Sequence, residues 1–215
     1  MPIGVPMVPV RLPRERSTTW IDIREELYRN RLLFLCEELD IDIANELMGL
    51  IIYLSWDEKD ITFFINSPGG ELLTGISIHN LMLSAPTDII TVCLGQASSI
   101  ASYILIAGTL GKRVALPHAR IMIHQPACTN IYSFWEEEEE VPTAGALFNE
   151  LKELMAIRET ITRTYSKRTG QPLSVIAEDM ERDFYMSAKE AKDYGIIDLI
   201  KAKSQKETPP PMNIW

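Results

Sequence analysis

Two segments of this chain carry the side chains that acyl transfer needs. Gly95-Gln-Ala-Ser-Ser99-Ile100 ends an apolar, strand-like run, and Met122-Ile-His124-Gln-Pro126 closes a second β-rich stretch. A serine at a strand-to-helix turn sits on rigid elements with its hydroxyl exposed, the placement a nucleophile requires. A histidine at the end of another such run can serve as its general base. The residues alone leave several pairings open. Ser98 stands beside Ser99, His79 and His118 compete with His124, and Asp179, Asp183, Asp193 and Asp198 are all late acids able to orient a base. A third segment, Asn66-Ser-Pro-Gly-Gly70, breaks the chain between an apolar run and a helical pattern. If the amides of Gly70 and Ile100 converge near Ser99 they form an oxyanion hole, in which one donor is typically worth ~2.7–4 kcal/mol of transition-state stabilisation.

The elements that must position these groups alternate along the chain. Trp20 to Asn30 reads as a short amphipathic helix, Arg31 to Cys36 as a strand, and Ile41 to Ser55 as a helix with Ile43, Leu47, Leu50 and Ile51 near one face. Ile61 to Ile65 is a strand running into the Pro-Gly-Gly breaker, and Leu72 to Ser84 is a helix closed by Pro86. Asp88 to Leu94 is the next strand, followed by a helix from Ser99 to Thr109 and short strands at Val114–Leu116 and Arg120–His124. Ala144 to Arg168 is a helix with an apolar stripe of Leu147, Phe148, Leu151, Leu154, Met155 and Ile161, ended by Gly170 and Pro172. Ser187 and Glu190 have capping-box spacing and open a last helix that stops at Gly195. Repeated β-α-β crossovers predict an α/β fold built on a mainly parallel sheet covered by helices.

Composition narrows the function classes. The chain has 215 residues, 46% of them hydrophobic, enough for one α/β domain with a sizeable core. Thirty acidic against 21 basic residues leave a formal charge of −9, which argues against a nucleic-acid partner because phosphate binding needs a basic surface. No membrane insertion is expected: no apolar run reaches the ~20 residues of a span, and Gly108 and Gly111-Lys-Arg113 cut off the longest candidate. The opening Met1-Pro-Ile-Gly-Val-Pro-Met-Val-Pro-Val10 has neither a signal-peptide nor a transit-peptide pattern, so the protein is expected to work where it is made. Its prolines predict an extended arm or loop. Cys36, Cys93 and Cys128 form no CxxC and are expected as buried free thiols in a reducing compartment. Neither a P-loop nor a metal-spaced His/Cys cluster occurs, so no metal and no bound nucleotide are expected.

The ordered set Asn66-Ser-Pro-Gly-Gly70, Gly95-Gln-Ala-Ser-Ser99, Leu116-Pro-His-Ala-Arg120, Met122-Ile-His124-Gln-Pro126, Thr169-Gly-Gln-Pro172, Glu181-Arg-Asp183, Met186-Ser-Ala188 and Tyr194-Gly-Ile-Ile-Asp198 resembles the proteolytic subunits of the Clp protease family over residues 18–200. The opening residues and the stretch 177–183 look most like the plastid-encoded members. The resemblance implies a crotonase-like spiral of β-β-α units with a protruding handle helix, about 144–168. It implies a Ser-His-Asp triad of Ser99, His124 and Asp183, an oxyanion hole from the amides of Gly70 and Ile100, and a ring-interface role for Glu181 and Arg182. It further implies a serine endopeptidase that degrades unfolded proteins to short peptides inside a tetradecameric double ring of identical and homologous active and inactive subunits. Substrates are delivered by an AAA+ Clp chaperone that consumes ATP, so no cofactor is bound here. The implied location is the chloroplast stroma, or otherwise the cytoplasm. Two alternatives follow from the same resemblance: a non-catalytic structural subunit of the ring, and an acyl-CoA enzyme of the crotonase fold.

The chain also departs from that pattern. Ser98 replaces the usual alanine, and Ser99-Ile-Ala101 replaces Ser-Met-Gly, which keeps the Ile100 amide. After Pro126 the usual Gly-rich segment gives way to Ala127–Trp135 and then the acidic run Glu136–Glu140. An acidic insertion at 132–142 is expected as a solvated loop. The expected division is an arm or axial loop at 1–18, a protease-like domain at 19–200, and a disordered tail at 201–215 carrying Pro209-Pro-Pro211.

Overall fold

The computed structural model describes residues 4–10, 18–126 and 144–201. Cys128, the acidic insertion, and much of the expected arm and tail lie outside the described residues. Nine strands and seven α-helices occur among the described ones: β1 Met7–Val10, β2 Thr19–Asp22, α1 Ile23–Arg29, β3 Leu32–Leu35, α2 Ile41–Leu54, β4 Ile61–Ser67, α3 Leu72–Ser84, β5 Ile89–Ser98, α4 Ile100–Ala107, β6 Arg113–Ala115, β7 Arg120–Ile123, α5 Ala144–Thr169, α6 Leu173–Asp179, β8 Phe184–Ser187, α7 Ala188–Tyr194 and β9 Leu199–Ile200. This is a mixed α/β protein with a largely parallel sheet, in the order β3-β4-β5-β6-β9.

Strand pattern explains the core. Ile61, Phe63 and Ile65 alternate on β4 and are fully buried, as are Leu33 and Leu35 of β3, which β4 pairs in parallel. Helix α4 is buried along its whole length, so its uniformly apolar Ile-Ala-Ser-Tyr-Ile-Leu-Ile-Ala sequence suits its place in the interior.

Strand β5 is the element that builds the site. Its first half pairs in parallel with β4 and with β6, at Thr91–Cys93. A register shift between Ile65/Cys93 and Ser67/Ala97 then redirects it, and Gln96–Ser98 pair with β7 instead. Asn66 Oδ1 accepts from the Gln96 N–H at 3.1 Å across that irregularity. Strand β8 adds to the far side of β7, antiparallel.

Several local expectations are corrected. Trp20–Asp22 is strand rather than helix: it pairs antiparallel with Met7–Val10, and Asp22 then caps α1 by accepting from the Arg24 N–H at 2.7 Å. Within the expected N-terminal arm or loop, Met7–Val10 form this partner strand. The stripe on α5 is helical, yet only Ile161 of those named is buried; Phe148 and Met155 are 67% and 69% exposed. Cys93 is a buried free thiol, but Cys36 is exposed. Among the described residues no helix is long and apolar enough to cross a membrane.

Candidate active site

Register alone brings three side chains together. Ser98 pairs with Met122 across β5 and β7, and Ile123 pairs with Phe184 across β7 and β8. The next residues at these neighbouring strand ends are Ser99, His124 and Asp183. His124 Nε2 lies 2.8 Å from Ser99 Oγ, and His124 Nδ1 lies 2.9 Å from Asp183 Oδ1. A carboxylate accepts, so Nδ1 carries the imidazole proton and leaves Nε2 free to accept from the serine hydroxyl. The Asp183 side chain is 58% exposed and that of His124 29%, so the carboxylate end of this series is open to water.

Ser99 sits in a strained turn. Its φ of 56° and ψ of −129° fall on the left-handed side of the map, at a cost of about 1–3 kcal/mol for a residue with a Cβ. Its N–H donates to Met122 O at 3.0 Å, tying the turn to the strand that carries His124. Ser98 is buried within the β5–β7 pair, and the serine that His124 meets is Ser99.

The glycine loop closes over this turn. The Ser67 hydroxyl accepts from the Gly69 N–H at 3.1 Å and donates to Gly69 O at 3.2 Å. Gly69, at φ +118°, is packed so tightly that an added Cβ would lie 2.8 Å from Ser99 Cβ. Gly70, at φ +143°, lies against Leu39 instead, and a Cβ there would meet Leu39 O at 2.1 Å. Leu39 donates to Gly69 O and accepts from Glu71 N–H, so that bridge does not use the Gly70 N–H. Ile100 is the first residue of α4, where an N–H has no intrahelical acceptor. Leu72, Ile100, Tyr103, Pro126, Ile161 and Tyr165 share one recess with Ser99 and His124.

The other candidates fall elsewhere. His118 is exposed in a turn. His79 is buried on α3 and stacks on Tyr103 with ring centroids 4.1 Å apart; burial, aided by the Arg168 charge, pushes its imidazole down to about 4. Asp179 accepts from Tyr194 Oη, Asp198 holds the buried Arg113 at 2.6 Å, and Asp193 is exposed. Glu181 pairs with Arg158 of α5, and Arg182 is exposed. Gly69, Ser102, Tyr103 and Tyr165 were not singled out from sequence. The doubled glycine pointed at the first, and the i, i+4 spacing from Ile161 could have found Tyr165.

A sequence model described as Clp protease matches residues 15–204. The chain is 52% identical over 202 residues to "Chloroplastic ATP-dependent Clp protease proteolytic subunit 1" of Arabidopsis thaliana, covering 93% of this chain and 98% of that one. It is 52% identical to the ATP-dependent Clp protease proteolytic subunit of Vitis vinifera with the same coverage, and 51% identical over 206 residues to that of Liriodendron tulipifera.

Proposed function

This chain belongs to the Clp protease family and is a Clp-type serine peptidase, and we propose that Ser99, His124 and Asp183 carry its chemistry. The observation that supports this assignment is the unbroken hydrogen-bonded series Ser99 Oγ, His124, Asp183. His124 takes the hydroxyl proton as Ser99 Oγ attacks the scissile carbonyl, then gives it to the leaving amine. Asp183 fixes the tautomer and stabilises the imidazolium. The acyl-enzyme on Ser99 is cleared by water, with the steps run in reverse order. The amides of Gly70 and Ile100 are proposed as the donors to the developing oxyanion.

The physiological setting follows the relatives' names. We propose an oligomeric proteolytic subunit in the chloroplast stroma, assembled with itself and homologous subunits as a double ring of fourteen. An AAA+ Clp chaperone supplies unfolded protein and consumes the ATP, and this chain binds no cofactor of its own. Glu181 and Arg182 are proposed for the ring interface. The structural-subunit and acyl-CoA alternatives gain no support from relatives that are named proteolytic subunits.

The test is covalent labelling. A fluorophosphonate should modify Ser99 in the purified assembled protein, located by peptide mass spectrometry, and Ser99→Ala should abolish it. Modification at Ser98 instead, or none in an intact assembly, would overturn the assignment.

A further inference from the structure

Beneath the strained turn, two buried hydroxyls form a chain that ends on the carbonyl of the proposed nucleophile. Ser102 Oγ donates to Ser99 O at 2.7 Å, and the Ser102 N–H donates to the same oxygen at 3.0 Å. Tyr165 Oη lies 2.7 Å from Ser102 Oγ. Ser102 has one hydroxyl proton and directs it at Ser99 O, so Tyr165 is the donor in its contact with Ser102. Both residues are buried, and Tyr165 comes from α5, far along the chain from Ser102. With its N–H donating to Met122 O, Ser99 is therefore held at both backbone polar groups, one by the strand that carries His124 and the other by a relay from α5.

We infer that Ser102 and Tyr165 are positioning residues that keep Ser99 in the left-handed conformation aiming Oγ at His124. Strained backbone persists only where its surroundings over-determine it, and the relay is part of what does so. A serine bonding back to the carbonyl three residues earlier is a common local motif and by itself means little. The informative part is the tyrosine. An alanine and a phenylalanine would fill the same volume without burying two hydroxyls, so packing does not require the pair. Each hydroxyl polarises the next, and the terminal bond to Ser99 O gains strength from a chain that starts outside the turn. Tyr165 also stands against Tyr103, with centroids 5.6 Å apart, which fixes its ring independently of the hydroxyl.

The inference rests on Ser99 being the nucleophile, and the experiment separates the two. The labelling rate of Ser99 by a fluorophosphonate is measured over a range of concentrations in the assembled full-length protein, alongside the melting temperature. Tyr165→Phe should slow the limiting rate about three- to tenfold, and Ser102→Ala about tenfold or more, with the half-saturating concentration unchanged. The double variant should be no slower than Ser102→Ala, because Tyr165 acts only through Ser102. Wild-type limiting rates in both single variants overturn the relay, whatever happens to the melting temperature. A multiplicative loss in the double variant also overturns it. A wild-type protein that is not labelled at Ser99 removes the nucleophile assignment and the relay together.

Discussion

Replacing Gly69 with alanine is the sharpest probe of how the glycine loop and the Ser99 turn depend on one another. The new Cβ would lie 2.8 Å from Ser99 Cβ, 3.0 Å from Ser98 O and 3.3 Å from Ser99 Oγ. Ordinary contacts begin near 3.4 Å, so either the loop or the turn must retreat by several tenths of an ångström. The φ of +118° adds about 1–3 kcal/mol of strain for an L-residue, and crowding a packed site adds about 1–3 kcal/mol more. The two nearest atoms, Ser99 Cβ and Ser98 O, are not flexible side-chain ends; one is bonded to backbone and the other belongs to it, and the β5–β7 ladder holds that backbone. A misplacement approaching 1 Å at a reacting atom costs about 10²-fold, so peptide hydrolysis per folded subunit should fall about 10- to 100-fold. Gly111→Ala is the matched control: its φ is +84°, but nothing lies within 4 Å of the added Cβ. It should lose about 1–2 kcal/mol of stability and no activity per folded subunit. Hydrolysis of a fluorogenic peptide, normalised to folded protein by denaturant titration, reads both. Wild-type turnover in Gly69→Ala, or equal losses in the two variants, would refute the argument from contact.

Asp183→Asn keeps the shape of the side chain but removes the acceptor that sets the His124 tautomer, so kcat should fall by roughly 10⁴-fold with little change in melting temperature; a loss under tenfold would contradict the proposed role. His79 is held near 4 by burial while an unfolded histidine titrates near 6.5, so the unfolded chain binds the proton first. Stability should therefore fall as pH drops from about 6.5 to 4, by at most about 3 kcal/mol, and His79→Phe should flatten that part of a urea-midpoint profile. Cys93 is buried, which pushes its thiol up to about 12, so iodoacetamide at pH 8 should leave it unmodified in the native protein and alkylate it in urea. Arg113 is 4% exposed and forks onto Asp198, so Arg113→Leu should destabilise by about 3 kcal/mol, read as a shift in denaturant midpoint.

The fold class was legible in the repeated β-α-β crossovers, whereas the residues themselves showed the candidate site only as a set of alternatives. Residue types and spacing left two serines, three histidines and four late aspartates open. The resemblance to the Clp protease family selected Ser99, His124 and Asp183, and strand pairing is what brings these three together. Periodicity found α2, α3 and the long α5, because a helix's signal is local. What it missed was non-local or short. Trp20–Asp22 could become strand only because Met7–Val10 pairs with it, and β9 has two residues, too few for any pattern. The distinction between Gly69 and Gly70 is invisible in a doubled glycine, since both need positive φ and only the approach of Ser99 or Leu39 tells them apart.

Helix α5 shows the same limit in a more instructive form. Its apolar period was readable, but burial was not: the stripe runs from exposed Phe148 and Met155 to buried Ile161 and Tyr165 on one helix. Helical spacing of apolar residues tells which face is apolar and is silent on what, if anything, lies against it. Tyr165 is one helical turn beyond Ile161, so pattern alone would count it as packing. Its hydroxyl acquires meaning only through Ser102, which belongs to a different helix and bonds the carbonyl of Ser99. A residue that acts through a second residue on a third leaves no spacing signal, because the spacing that matters is spatial. That is why Ser99, His124 and Asp183 could be carried over from motifs shared with a family, while the buried hydroxyls behind them emerge only in the folded chain.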